Sequence, residues 1–165
     1  MPHSKEIAFI FAHRETDVWS TPLSVVNEFK RRGWNTSIYS LFDKNDNYTD
    51  KNVQKLLDTC NSDVGAPDVI LHMDWGRHLS NILSKLRFTG AYCIMEAGDD
   101  PQNQERNLVK APYFDLILTP DYESNEFYKS KGFDSIWWTH FADTDIHFPQ
   151  ESKTKYVAVT SRGKG

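Results

Sequence analysis

Short apolar runs alternate along the chain with longer amphipathic stretches. Residues 7–12 (IAFIFA) are apolar without a break, as a strand buried on both faces would be. Residues 35–42 (NTSIYSLF), 68–73 (DVILHM), 90–95 (GAYCIM), 115–119 (DLILT) and 135–139 (SIWWT) are the other strand candidates. Helical patterns separate them. Thr21 and Pro22 open the first, because Thr caps and Pro suits a first turn, and Gly33 stops it. Leu23, Val26 and Phe29 supply its stripe. Thr49 or Asp50 caps a second helix with Val53, Leu56 and Leu57, and Leu79, Ile82, Leu83 and Leu86 mark a third over 78–86. A short helix is expected over 103–109, and a last one over 122–131 that ends at Gly132.

Strands that alternate with helices predict an α/β, Rossmann-like domain, a parallel sheet with helices on both faces and right-handed crossovers. This domain is complete by residue 140. Residues 141–154 are polar, contain Pro149 and read as a linker. Residues 155–160 (KYVAVT) alternate in the manner of a strand, and 161–165 (SRGKG) form a basic, glycine-bearing loop of the kind that cradles phosphate. The chain therefore reads as one domain plus the first strand of another.

The net charge of −4 argues against a protein that holds nucleic acid mainly by charge. Cys60 and Cys93 are far apart, with no CxxC or His/Cys metal spacing, so both read as reduced core thiols of a cytoplasmic protein. No apolar run approaches a membrane span, and residues 1–6 lead straight into the first strand without a signal peptide. GxGxxG, GxxxxGK[ST] and GxSxG are all absent, which removes the usual dinucleotide, P-loop and hydrolase-elbow readings.

In open α/β sheets ligands bind beyond the carboxyl ends of the strands. That rim should gather His13, Asp17 and Trp19 after the first strand and Asp74, Trp75 and Arg77 after the third. Glu96, Asp99 and Asp100 follow the fourth. The indoles of Trp19 and Trp75 suit stacking on sugars or bases, or simple rim packing. Trp137 and Trp138 read as core and interface. His13, oriented by Asp17, suits a general base toward a hydroxyl; Glu96 and Asp99 could accept a proton or bind a hydroxyl-rich ligand. Asp100 reads as the cap of the following helix, with Pro101 in its first turn. His72, inside a strand, reads as structural.

Two stretches carry a family resemblance. Residues 115–150, ending His140-Phe141-Ala142-Asp143 and Phe148-Pro149, resemble the end of the N-terminal domain of GT-B glycosyltransferases. CIMEAGDDPQ, residues 93–102, is similar to the Asp-Asp-Pro turn of the CgeB-like branch, among glycosyltransferase group 1-like proteins. The resemblance covers roughly residues 68–165. It implies the N-terminal half of a GT-B fold, the acceptor side of an enzyme that moves a sugar from a nucleotide sugar to an acceptor hydroxyl. His13 or Asp99 would be catalytic, and Asp17, Trp19, Asp74, Trp75, Arg77 and Glu96 would hold the acceptor. Arg162, Gly163 and Lys164 would face the donor diphosphate, with the rest of the donor domain beyond this chain. No metal or cofactor is required, and the fragment alone should be inactive. The first loop has His13-Arg14-Glu15 where many relatives have a glycine-rich turn. The acceptor stays open among sugars, small molecules, lipids, proteins and modified DNA bases. The alternative is a stand-alone Rossmann- or flavodoxin-like binding module without catalysis.

Overall fold

A computed structural model describes residues 5–12, 21–45, 47–62, 65–73 and 80–139. The linker and the strand expected beyond residue 140 lie outside these residues. Six strands, β1 (Glu6–Phe11), β2 (Asn35–Ser40), β3 (Val69–Met73), β4 (Tyr92–Glu96), β5 (Leu116–Thr119) and β6 (Ser135–Trp137), form one sheet in the order β2-β1-β3-β4-β5-β6. Every pairing is parallel. Among the described residues, five α-helices connect the strands: α1 (Thr21–Arg31), α2 (Lys51–Cys60), α3 (Ser80–Leu86), α4 (Gln104–Lys110) and α5 (Tyr122–Ser130). This is the α/β, Rossmann-like architecture that the alternation predicts.

The placement of the helices follows from the strand order. The step from β1 to β2 runs one way across the sheet and all later steps run the other way. With right-handed crossovers, the first helix lands on one face and the later ones on the opposite face. The buried clusters have that distribution. Val25 and Val26 of α1 pack with Ile7, Phe9, Phe11, Leu71 and Met73. Val53, Leu56, Leu57 and Cys60 of α2 and Ile82, Leu83 and Leu86 of α3 pack with Ala8, Ile10, Ile70 and Cys93. Tyr128 of α5 joins Met95, Ala97 and Ile117. The buried positions of α2 recur at i, i+3, i+4 and i+7, which is one face of a helix.

Local chemistry sets the ends of these elements. Gly33 and Gly132, at φ +79° and +85°, occupy the left-handed region that a side chain disfavours. At each, the next residue's N–H returns to a carbonyl five positions back, Trp34 to Phe29 and Phe133 to Tyr128. That bond adds a second donor to a carbonyl of the last turn, which already accepts the N–H three residues on, from Arg32 and Lys131, and so closes the helix end. At the amino edge of the sheet, Asp68 Oδ2 accepts the Glu6 N–H at 2.8 Å and Asp115 Oδ2 accepts the Cys93 N–H at 2.7 Å. These two carboxylates are thereby assigned to the framework. β2 stops at Ser40, two residues short of the apolar run, because Phe42 forms an antiparallel bridge with Tyr48 instead. No helix among the described residues is long and apolar enough to cross a membrane.

Candidate functional site

The strand order reverses around β1, which has β2 on one side and β3 on the other. Ligands of open α/β sheets settle at such a reversal, outside the carboxyl ends of the strands. The chain leaving β1 and β3 there runs into residues 13–20 and 74–79. His13, Asp17, Trp19, Asp74, Trp75 and Arg77 therefore lie outside the described residues, as do Arg162, Gly163 and Lys164. The described part of this rim is the acidic turn after β4, together with its supports on β5, α4 and α5.

Residues 96–100 send three carboxylates in three directions. Glu96 is the last residue of β4 and is buried, on the face it shares with its register partner Leu118. Asp99 is exposed at the tip of the turn. Its Oδ2 accepts from Asn103 Nδ2 at 3.3 Å and its carbonyl accepts the Asn103 N–H at 3.1 Å. Asp100 turns inward, toward the face that α5 covers, and precedes a cis peptide bond to Pro101. There Asp100 Oδ1 accepts from Asn107 Nδ2 at 2.9 Å. Its Oδ2 accepts from the Thr119 hydroxyl at 3.0 Å and the Tyr128 hydroxyl at 2.9 Å.

This arrangement corrects the expectation that Asp100 caps a helix. The N-cap of α4 is Asn103, whose side chain makes no cap bond, and Pro101 lies before the helix rather than in its first turn. Three donors from three elements converge on Asp100, and a carboxylate saturates its lone pairs better there than at a helix end open to water. Burial pushes the Asp100 carboxyl up from the usual carboxylate range, against the pull of Asn107, Tyr128 and Thr119, and the nearby Asp121 adds to the rise. Burial, followed by the Asp100 charge, pushes the Tyr128 phenol well above its ordinary value, so it remains a donor. Gln104 Nε2 donates to the Ser124 hydroxyl at 3.0 Å, a second tie between α4 and α5. Asp121 caps α5 by accepting the Ser124 N–H at 2.7 Å. The turn is therefore pinned from behind while Asp99 faces outward.

Of the nine residues expected to carry chemistry outside this turn, none is placed by the described structure. Glu96 and Asp99 are, with one buried and the other accessible. Asn107, Thr119 and Tyr128 were not singled out by sequence. Their signals were weak: a polar residue closing the apolar run of β5, and an amide and a phenol on the inward faces of their helices. Trp137, expected in the core, is 52% exposed; its Nε1 donates to the Pro120 carbonyl at 3.1 Å and its ring meets Tyr122 edge-on.

Two further titratable groups lie deeper. His72, on β3, is fully buried with its ring tilted against Phe114, and neither ring nitrogen has a hydrogen-bond partner among the described residues. Burial, aided by the charge of the buried Lys110, pulls its pKa down to about 3, so the imidazole is neutral. Burial, with the Asp115 charge, pushes the Cys93 thiol up to about 11, and Cys60 is raised by burial as well. Both cysteines are free and buried, as core thiols should be.

Among the described residues no group of three or more His, Cys, Asp or Glu side chains could hold a metal ion. The chemistry available is that of an exposed carboxylate on a fixed backbone: accepting hydrogen bonds from hydroxyls, and accepting a proton from one. No protein-family model matches this chain, and no curated protein does either.

Proposed function

We propose that the chain is the acceptor-binding part of a glycosyltransferase, which moves a sugar from a nucleotide sugar to an acceptor hydroxyl. Asp99 takes the hydroxyl proton in this reading, with His13 as the other candidate base. The freed oxygen attacks the anomeric carbon, the bond from that carbon to the diphosphate breaks, and the nucleoside diphosphate departs. Asp17, Trp19, Asp74, Trp75, Arg77 and Glu96 form the acceptor side. Arg162, Gly163 and Lys164 meet the charge of the leaving diphosphate, and the remaining donor contacts come from a further domain. The observation that supports this most is the accessible Asp99 carboxylate, at the ligand-binding end of the sheet, on a turn whose next residue is fastened in the core.

The encoded protein, incubated with a panel of nucleotide sugars and with sugar, lipid, small-molecule, protein and hydroxymethylated-DNA acceptors, is expected to release nucleoside diphosphate only when an acceptor is present. Absence of release from every combination would overturn the reading. A second reading, a binding module without catalysis, draws on the sheet, five helices and three buried clusters found among the described residues. It expects a small polar ligand to bind at the same rim and to be recovered unchanged.

A further inference from the structure

The end of the sheet that carries Asp99 also carries an exposed pair of aromatic rings that neither functional reading uses. Trp137 closes β6, and register sets it beside Thr119 of β5. Ser135, two residues earlier, donates to the Asn125 side chain of α5, and alternation puts Trp137 on that same side. Tyr122 is the first residue of α5, in a turn that the Asp121 cap fixes. The two rings lie 5.7 Å apart between centroids and 83° apart between planes, so the edge of one rests on the face of the other. Each is still more than half exposed, Tyr122 at 58% and Trp137 at 52%. The indole is held as well as exposed, since its Nε1 donates to the Pro120 carbonyl at 3.1 Å. That bond uses the one polar atom of the indole, so what it shows to solvent is apolar carbon.

We infer that Tyr122 and Trp137 form a platform on which one ring of a neutral saccharide stacks. Three observations select this ligand. Place is the first: β4, β5 and β6 are neighbours, and their carboxyl ends form the side of the sheet where open α/β folds hold ligands. β6 lies two strand spacings from β4, about 10 Å, so one oligosaccharide can reach both Trp137 and the turn that bears Asp99. Charge is the second. Asp121 and Glu123 flank Tyr122, and residues 116–128 contain no Lys or Arg. The next cation along α5, Lys129, is paired with Glu126. Such a surface repels phosphate, which disfavours a nucleotide or nucleic acid as the stacked ligand, and it offers acceptors to a ligand rich in hydroxyl donors. Shape is the third. A cation cage needs rings that enclose the charge, and here the rings touch each other with no space between them. The pair instead presents an open apolar surface, and a pyranose has an apolar C–H face to lay on it. A single exposed ring would need no explanation. Two in contact, one of them tied to the backbone, are ordered before the ligand arrives, which lowers the ordering cost of binding. The inference holds under either functional reading: the saccharide is the acceptor in the first and the ligand recovered unchanged in the second.

The test uses the full chain and no nucleotide sugar, so its outcome is separate from that of the transfer assay. The five indole N–H signals are followed by NMR as cellotriose, maltotriose, mannotriose and tri-N-acetylchitotriose are added to millimolar concentration, with Trp137→Phe identifying the Trp137 signal. At least one trisaccharide is expected to move that signal saturably. Trp137→Ala is expected to weaken the binding by about tenfold or more, the loss that follows when a ring stacked on a base is removed. If Trp137→Ala fails to fold, magnetisation transfer between the sugar protons and the Trp137 ring in the wild type decides alone. No movement with any of the four sugars would overturn the inference, as would undiminished affinity in a folded Trp137→Ala protein. So would a Trp137 signal that moves with tetramethylammonium instead, which would make the pair a cation site. A signal that moves with protein concentration alone would give the pair to a second copy and overturn it as well.

Discussion

Asp100→Ala is expected to lower the unfolding free energy by about 3–5 kcal/mol at neutral pH, because it strands three buried donors at about 1–3 kcal/mol each before relaxation. The donors are the Asn107 amide and the Thr119 and Tyr128 hydroxyls, and they come from three different elements. The Ala97 N–H also reaches the Leu118 carbonyl, but Asp100 is the side chain of the turn on which α4, β5 and α5 converge. Asp100→Asn keeps an acceptor oxygen and removes a charge that burial disfavours. It is expected to cost less than half as much. Tyr128→Phe removes a donor rather than the acceptor and should cost about 1–2 kcal/mol. Urea unfolding of the three variants checks the order. A loss below about 1 kcal/mol for Asp100→Ala, within the range of a surface substitution, would mean the network does not hold the turn.

Acid should act through His72. Its folded pKa, about 3, lies below its ordinary value of 6.5, so the unfolded chain binds the extra proton first as pH falls. The stability associated with neutral His72 is complete above about pH 6.5, and about 1.4 kcal/mol is lost per pH unit between there and about pH 3. Asp100 titrates with the opposite sign. Its carboxyl is raised in the folded state, so protonation of Asp100 favours folding as pH falls. The test is therefore a difference between proteins rather than a single profile. His72→Leu is expected to be as stable as wild type at pH 7, since it removes a buried imidazole with no hydrogen-bond partner among the described residues. At pH 5 it should be ahead by roughly 2 kcal/mol, about one and a half units of the window. Parallel stability curves for the two proteins from pH 7 to pH 5 would contradict the assignment.

The architecture was largely legible because its signals are local. The unbroken apolar run of β1 describes a strand buried on both faces, and the spacing of Val53, Leu56 and Leu57 describes one face of α2. Gly33 and Gly132 mark helix ends with backbone geometry that other residues avoid. The strand order depends on pairings between segments far apart in sequence, such as Phe9 with both Ile38 and Leu71, and no local pattern specifies those. Asp100 fails for the same reason. Its neighbours suggest a cap, but its partners lie 7, 19 and 28 residues away. The position of Asp99 at the rim was readable from the strand that precedes it. The burial of Glu96 was not, because β4 runs one residue further than its apolar stretch.

On the proposed glycosyl-transfer reading, the outward carboxylate of Asp99, rather than the turn as a whole, does the chemical work at this rim. The most direct test is kcat/KM for sugar transfer by the encoded protein carrying Asp99→Asn, measured beside its melting temperature. Asn keeps the size and the hydrogen bonding of an exposed side chain, so the melting temperature is expected to stay within a degree or two. Loss of a general base should cut kcat/KM by about 10²-fold or more. Full transfer activity in a correctly folded Asp99→Asn protein would contradict the claim.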